Sequence, residues 1–320
     1  MIHLKNVSKT YRVPIRKAGF KQAVAAFFKR EYRQIDALKK ISLQIETGEM
    51  VGYIGPNGAG KSTTIKILSG ILAPDEGKIT IAGLDPFTQR KQHAKNIGVV
   101  FGQRTQLWWD LPVGDSFELL KEIYKIPTAQ YEQRLSEFIH LFELEDIIQR
   151  PVRQLSLGQR VRCDIAAALL HQPKVLFLDE PTIGLDAYSK QKVRAFIKQI
   201  NQKYQVTVIL TTHDMQDIEQ IVSRVVLIGH GELLYDGKLD ALVGKYGGPQ
   251  RIQLQFQGEL LSHASYTILE VTQRTAFLQV NTNLADVIRT LQQTIIIDHL
   301  EVFKPTIDDV ILNLYQEYRV

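Results

Sequence analysis

Cysteine is almost missing from this chain: Cys163 is the only one, so no intramolecular disulfide can form, which suits a reducing compartment. Read locally, Cys163 is a small buried side chain. Tryptophan is confined to one pair, Trp108 and Trp109. No uninterrupted apolar stretch approaches the roughly 18 residues of a membrane span, and the opening MIHLKNVSKTY lacks the apolar region of a signal peptide. There is no internal repeat and no sustained heptad pattern. The net charge of +5 is too small to argue for nucleic acid, though it is compatible with work near an anionic membrane face. An apolar content of 44% and a charged content of 23% describe an ordinary globular protein, long enough at 320 residues for one large and one small domain.

The most informative stretch is GPNGAGKS, directly after the apolar run Met50 to Ile54. A buried strand ending in a glycine-rich turn and continuing as a helix points several backbone N–H groups at one spot, where they can cradle nucleotide phosphates. The candidate contacts are Gly55, Pro56, Asn57, Gly58, Ala59, Gly60, Lys61, Ser62 and Thr63. Lys61 would reach the β- and γ-phosphate oxygens, and the Ser62 hydroxyl would hold Mg²⁺. Ile65, Ile67 and Leu68 supply the apolar residues of the following helix. An ordinary glycine turn is the alternative on this motif alone.

Ile2 to Val7 and Ile41 to Ile45 alternate as half-buried strands should, and Ile79 with Ile81 adds to an antiparallel edge. Continuous apolar runs at Ile97–Phe101, Val175–Leu178, Thr207–Leu210 and Val225–Ile228 read as buried, mostly parallel strands. From Pro112 to about His171 the pattern is helical, with Phe117, Leu120, Ile123 and Tyr124 spaced for one face. A break at Gly244, Gly247, Gly248 and Pro249 precedes a different texture. There, strands are expected at Ile252–Phe256 and Ile296–Phe303, with a helix through Leu284, Val287, Ile288 and Leu291. Thr306 and Asp309 form a capping box before a last amphipathic helix.

Residues 175–180, VLFLDE, end a buried strand in two carboxylates beside the phosphate loop, where α/β sheets place ligand chemistry. Asp179 belongs in the Mg²⁺ shell, and Glu180 is the candidate general base for a water attacking the γ-phosphate. Upstream, Ser156 is a good N-cap and, with Gly158, opens a helix whose N-terminus can bind an anion. Taken alone, that reading loses to an ordinary capped helix.

Together these motifs resemble the ATP-binding subunit of an ABC transporter over residues 1 to about 240. LSLGQ at Leu155–Gln159 looks like the family signature, and LDEPTIGLD at Leu178–Asp186 like its magnesium strand and D-loop. The resemblance implies an α/β P-loop NTPase fold of ABC type, with a mixed central sheet, an antiparallel β subdomain and a helical subdomain near residues 104–170. The domains expected are 1–243 for the cassette and 249–320 for a small α+β appendage. It implies ATP and Mg²⁺ as cofactors and a head-to-tail dimer, of two copies or with a homologous ATPase, in which Ser156, Gly158 and Gln159 meet the partner's γ-phosphate. Asp186 would lie at that interface. His213 in TTHD would contact the γ-phosphate, Tyr11 would stack on adenine, and Gln103 would be the Q-loop glutamine near Mg²⁺. Two departures stand out: Gly102 separates the strand from Gln103, leaving Gln106 as a weaker candidate, and Leu157 stands where many members have glycine.

The single cassette with only a short stretch between phosphate loop and signature argues for a transporter subunit at the cytoplasmic face of the membrane, paired with separate multi-span permeases, and no nucleic acid. PTIDDVILNLY resembles the tail of daunorubicin-resistance export ATPases, and VFGQRTQLWWDLPV the viologen-exporter branch. An importer ATPase and a soluble ABC protein of translation or repair are the rivals. Burial within the helical subdomain is favoured for Trp108 and Trp109, with a partner-facing groove as the alternative. Between Arg12 and Lys40, nine Lys and Arg oppose only Glu31 and Asp36. Phe20, Ala23, Val24, Phe27 and Phe28 there predict a basic amphipathic helix, near membrane or partner if not simply a solvated face.

Overall fold

The computed structural model describes residues 1–14, 32–102, 104–303 and 305–318. Two compact units part between Lys238 and Leu239. In the first, strands β1 (Ile2–Pro14) and β2 (Tyr32–Ile45) form a long antiparallel hairpin. After β3 (Met50–Ile54) and helix α1 (Lys61–Leu68), β4 (Glu76–Ile81) joins it, giving a three-stranded sheet in the order β2-β1-β4. The predicted helix between Arg12 and Lys40 is not seen in its flanks, which are strand. Its apolar positions Phe20 to Phe28 lie outside the described residues.

A short α2 (Arg90–Ala94) and β5 (Ile97–Phe101) lead to the helices α3 (Val113–Tyr124), α4 (Thr128–Leu141) and α5 (Leu157–Leu169). Phe117 and Leu120 bury as their spacing requires, but Ile123 faces solvent. The chain then alternates β6 (Val175–Asp179), α6 (Ala187–Tyr204), β7 (Thr207–Thr211), α7 (Met215–Ile221), β8 (Arg224–Gly229) and β9 (Glu232–Lys238). The second sheet runs β5-β6-β7-β3-β8-β9, parallel except for β9. Its inner strands are apolar on both faces because both are covered. One core fuses the sheets: Leu4, Ile41 and Ile45 from the first, Tyr53, Phe177 and Ile209 from the second, and Ile65 and Ile67 of α1. At roughly 1.5–3 kcal/mol per fully buried large apolar side chain, this burial fixes where α1 begins. The strand order sets the chemistry, since β7 lies between β3 and β6 and their C-terminal ends emerge side by side.

The second unit begins with α8 (Leu239–Tyr246), earlier than the glycine break suggests. α8 belongs here because its Tyr246 carbonyl accepts from Asn313 at 3.1 Å. Strands β10 (Arg251–Gly258), β11 (Tyr266–Val271), β12 (Thr275–Val280) and β13 (Ile295–Phe303) form an antiparallel sheet ordered β11-β12-β10-β13. Helix α9 (Leu284–Leu291) packs Val287 and Leu291 with Ile252, Leu254 and Leu278. The last helix, α10 (Ile307–Glu317), starts with both halves of the Thr306–Asp309 capping box.

Candidate active site

Gly55 and Gly60 of the loop between β3 and α1 are required by space. A Cβ on Gly55 would stand 2.3 Å from the Ile228 carbonyl oxygen. One on Gly60, whose φ is +110°, would stand 2.4 Å from that of Ala37. Lys61 is buried, and its Nζ donates to the carbonyls of Gly55 (2.7 Å) and Pro56 (3.1 Å) inside the loop. Burial lowers the Lys61 pKa, while the charges of Glu180 and Asp179 oppose that shift. Behind the loop, Thr64 Oγ1 donates to Gly60 O at 3.1 Å and meets the Tyr53 hydroxyl at the same distance. Burial pushes that phenol up to about 12, so it stays neutral. Tyr11 on β1 brings its hydroxyl 3.4 Å from Thr63 Oγ1, beside the start of α1.

The acids come from β6. Thr211 Oγ1, at the end of β7, donates to Asp179 Oδ1 at 2.5 Å, and the Glu180 N–H donates to Thr211 O at 2.9 Å. Glu180 turns the chain with φ at +54°, a region that side chains other than glycine seldom adopt. Its Oε1 lies 3.1 Å from His213 Nε2. Gly102 explains its own presence after β5: a Cβ there would sit 2.0 Å from the Glu180 carbonyl oxygen, and its N–H donates to Asp179 O at 2.8 Å. Gln103 lies outside the described residues. Gln106 is tied to α5 instead of the acids, its carboxamide donating to Asp164 O at 2.7 Å and its N–H to Asp164 Oδ1 at 3.0 Å. A cleft of 490 Å³ is lined by Ser62, Lys66, Phe101, Gly102, Asp179 and Glu180, among others. A nucleophilic water held in that space would face the Glu180 carboxylate, which His213 meets at 3.1 Å.

Ser156 caps α5: its Oγ accepts the Gln159 N–H at 3.2 Å, and Gln159 Oε1 accepts the Ser156 N–H at 2.9 Å. Among the described residues, none of 155–159 lines the cleft. Gly158 is required for a close approach, since a Cβ would sit 2.6 Å from Ser189 Oγ. That hydroxyl donates to Asp186 Oδ2 at 2.7 Å, and the Ser189 N–H, reaching Oδ1, is the main reason the Asp186 carboxyl stays below its ordinary range. Leu157 finds room beside Gly184, whose φ is +74°. Residues 157–158 and 184–189 of one chain are therefore packed together. Trp108 and Trp109 are 38% and 48% exposed, not buried as expected, with the Arg160 guanidinium 5.5 Å from the Trp109 ring. Sequence reasoning also passed over Thr211; the doubled threonine closing a buried strand was its only signal.

The ABC transporter family profile matches residues 38–183. The daunorubicin resistance ATP-binding protein DrrA3 of Streptomyces coeruleorubidus is 31% identical over 297 residues, 89% of this chain and 93% of that protein. The probable sulfate/thiosulfate import ATP-binding protein CysA of Chlorella vulgaris is 35% identical over 213 residues, 67% of this chain and 89% of that protein. Among solved structures, a dimeric post-hydrolysis state of an ATP-binding cassette bound to ADP and Pi matches with a TM-score of 0.61 at 31% identity, covering 75% of this chain and 99% of that one. The phosphate loop, the acid-bearing strand and these likenesses make the chain a member of the ABC transporter ATP-binding family, an ATPase of the P-loop fold.

Proposed function

We propose that two copies of this chain, or one copy and a homologous ATPase, close head to tail around Mg-ATP at the cytoplasmic face of a membrane. Hydrolysis there drives export through separate multi-span permease subunits. The catalytic reading is carried by the 3.1 Å approach of Glu180 to His213 at a cleft that Asp179 and Ser62 share. Glu180 acts as the general base, orienting the attacking water and taking its proton, while His213 holds the carboxylate and the γ-phosphate in place. Lys61 and the N–H groups of residues 55–63 offset the phosphate charge. The hydroxyl of Ser62 and the carboxylate of Asp179 are hard oxygen donors, the kind Mg²⁺ takes alongside water and phosphate oxygens. With Gln103 they would hold that ion, which when bound neutralises charge on the transferring group. Tyr11 stacks on adenine. Ser156, Gly158, Gln159 and Asp186 serve the partner's nucleotide, a reading supported by the dimeric ATP-binding cassettes among the solved structures that the chain resembles.

Export is favoured by the extent of likeness. The daunorubicin-resistance relative aligns over 89% of the chain, past the cassette and into the C-terminal unit, whereas the import relative aligns over 67%. On this reading residues 249–320 are an exporter-type accessory domain. Glu180→Gln should keep ATP affinity within about threefold, hold an ATP-dependent dimer on size-exclusion chromatography, and slow phosphate release by roughly 10²–10⁴-fold. Normal turnover would remove Glu180 from its role. For direction, the tagged chain purified from solubilised membranes should bring down multi-span proteins; recovery of a solute-binding component would favour import.

A further inference from the structure

Behind the Glu180–His213 pair lies a carboxylate that the reaction itself does not touch. Asp217, on α7, is 0% exposed. Thr212 Oγ1 donates to its Oδ2 at 2.8 Å, and Thr182 Oγ1 donates to the same oxygen. The other oxygen, Oδ1, accepts from Arg194 Nε of α6 at 2.6 Å. Arg194 Nη1 donates to Gln216 Oε1 at 3.3 Å; Nη2 stands 3.3 Å from Asp214 Oδ2 but too far off line for a hydrogen bond. Lys190 Nζ completes the cluster on Asp214 at 2.6 Å.

Thr182 follows Glu180 by two residues, and Thr212 immediately precedes His213. We infer that Asp217 is a positioning residue for hydrolysis: one buried oxygen grips the loops after β6 and β7 and so fixes the separation of Glu180 from His213. This rests on the assignment of those two residues proposed above. Two hydroxyls can share one oxygen at only a narrow range of loop separations, and burial penalises any arrangement that leaves the carboxylate short of donors. Glu180 needs such restraint, because its left-handed backbone is not a conformation the residue holds by itself. Arg194 sets the carboxylate by bonding the oxygen that the threonines leave free.

Thr182→Val and Thr212→Val each delete one hydroxyl without unpairing a charge; Thr212→Val also frees the Asp214 N–H, which donates to Thr212 Oγ1 at 3.0 Å. In the full chain, each should lower kcat for ATP hydrolysis about tenfold. KM and the Mg-ATP dissociation constant should stay within about twofold and Tm within a few degrees, because the nucleotide contacts lie elsewhere. The double variant should lose less than the roughly hundredfold of independent effects, since both act through one oxygen. Thr212→Ser should restore turnover. Unchanged kcat in both valine variants, or kcat losses that only follow lost folding or raised KM, would overturn the inference. Turnover surviving in Glu180→Gln would instead strike the catalytic assignment beneath it.

Discussion

At the scale of single residues, the site depends on atoms that are missing as much as on those present. Gly55 has no room for a methyl group against the Ile228 carbonyl, and Gly60 combines a positive φ with a close approach to Ala37. Gly55→Ala should therefore destabilise the chain by about 2 kcal/mol or more and weaken ATP binding at least about tenfold, read by urea unfolding and nucleotide titration. Those glycines were legible in the sequence because the motif requires them. Lys61, Asp179 and Glu180 were legible for the same reason: a charge next to an apolar strand has few uses. Asp217 was not. On α7 it shares a face with the buried Ile221, but an acid within MQDIEQI reads as a solvated helix position until its partners from α6 and two loops are seen. Gly102 looked like a disturbance of the usual pattern and proves to be the only kind of residue that clears the Glu180 carbonyl.

At the scale of elements, α5 carries two opposed titrations. Burial raises the Asp164 carboxyl to about 6, although Thr105 and Gln106 donate to it. Just past the helix end, burial lowers His171 to about 4, with its ring stacked on Tyr124. The folded state binds more protons at Asp164 than the unfolded chain does between about pH 4 and 6, so that group's contribution is largest in acid and lost as pH rises through 6. His171 works the other way: its contribution is full above its unfolded pKa near 6.5 and lost as pH falls towards 4. Asp164→Asn keeps an acceptor for Thr105 and should stabilise the chain by on the order of 2 kcal/mol at pH 7.5 and by little at pH 4. Urea unfolding across pH should show the variant losing stability in acid more steeply than the parent, with His171 no longer offset. Among the strands, continuous apolar runs announced β5, β6, β7 and β8. β11 escaped because this edge strand buries little beyond Tyr266, so no alternation survives. β12 escaped because Ala276, Phe277 and Leu278 are consecutive apolar residues and blur its period.

At the scale of the whole molecule, the chain has two units with separate cores, and the boundary between them was the least legible feature. Glycines mark flexible backbone, but α8 is assigned by what it packs on, which lies about seventy residues further along. If each nucleotide needs two chains, specific activity cannot be constant. ATPase rate measured on serial dilutions should rise as about the square of chain concentration below the dimerisation constant and become linear above it. A response that stays linear at dilutions where size-exclusion chromatography shows only monomer would mean that one copy hydrolyses ATP unaided.

The last residue of β7 and the three after it form a row of connectors. Thr211 bonds Asp179, Thr212 bonds Asp217, His213 meets Glu180, and Asp214 takes Lys190 while capping α7. Four neighbours in a row each hold a different residue, so their spacing matters as well as their identity. A single extra residue inserted directly before Thr211 would mispair all four at once, while the same insertion beside the exposed Gln205, ahead of β7, would leave each connector opposite its mate.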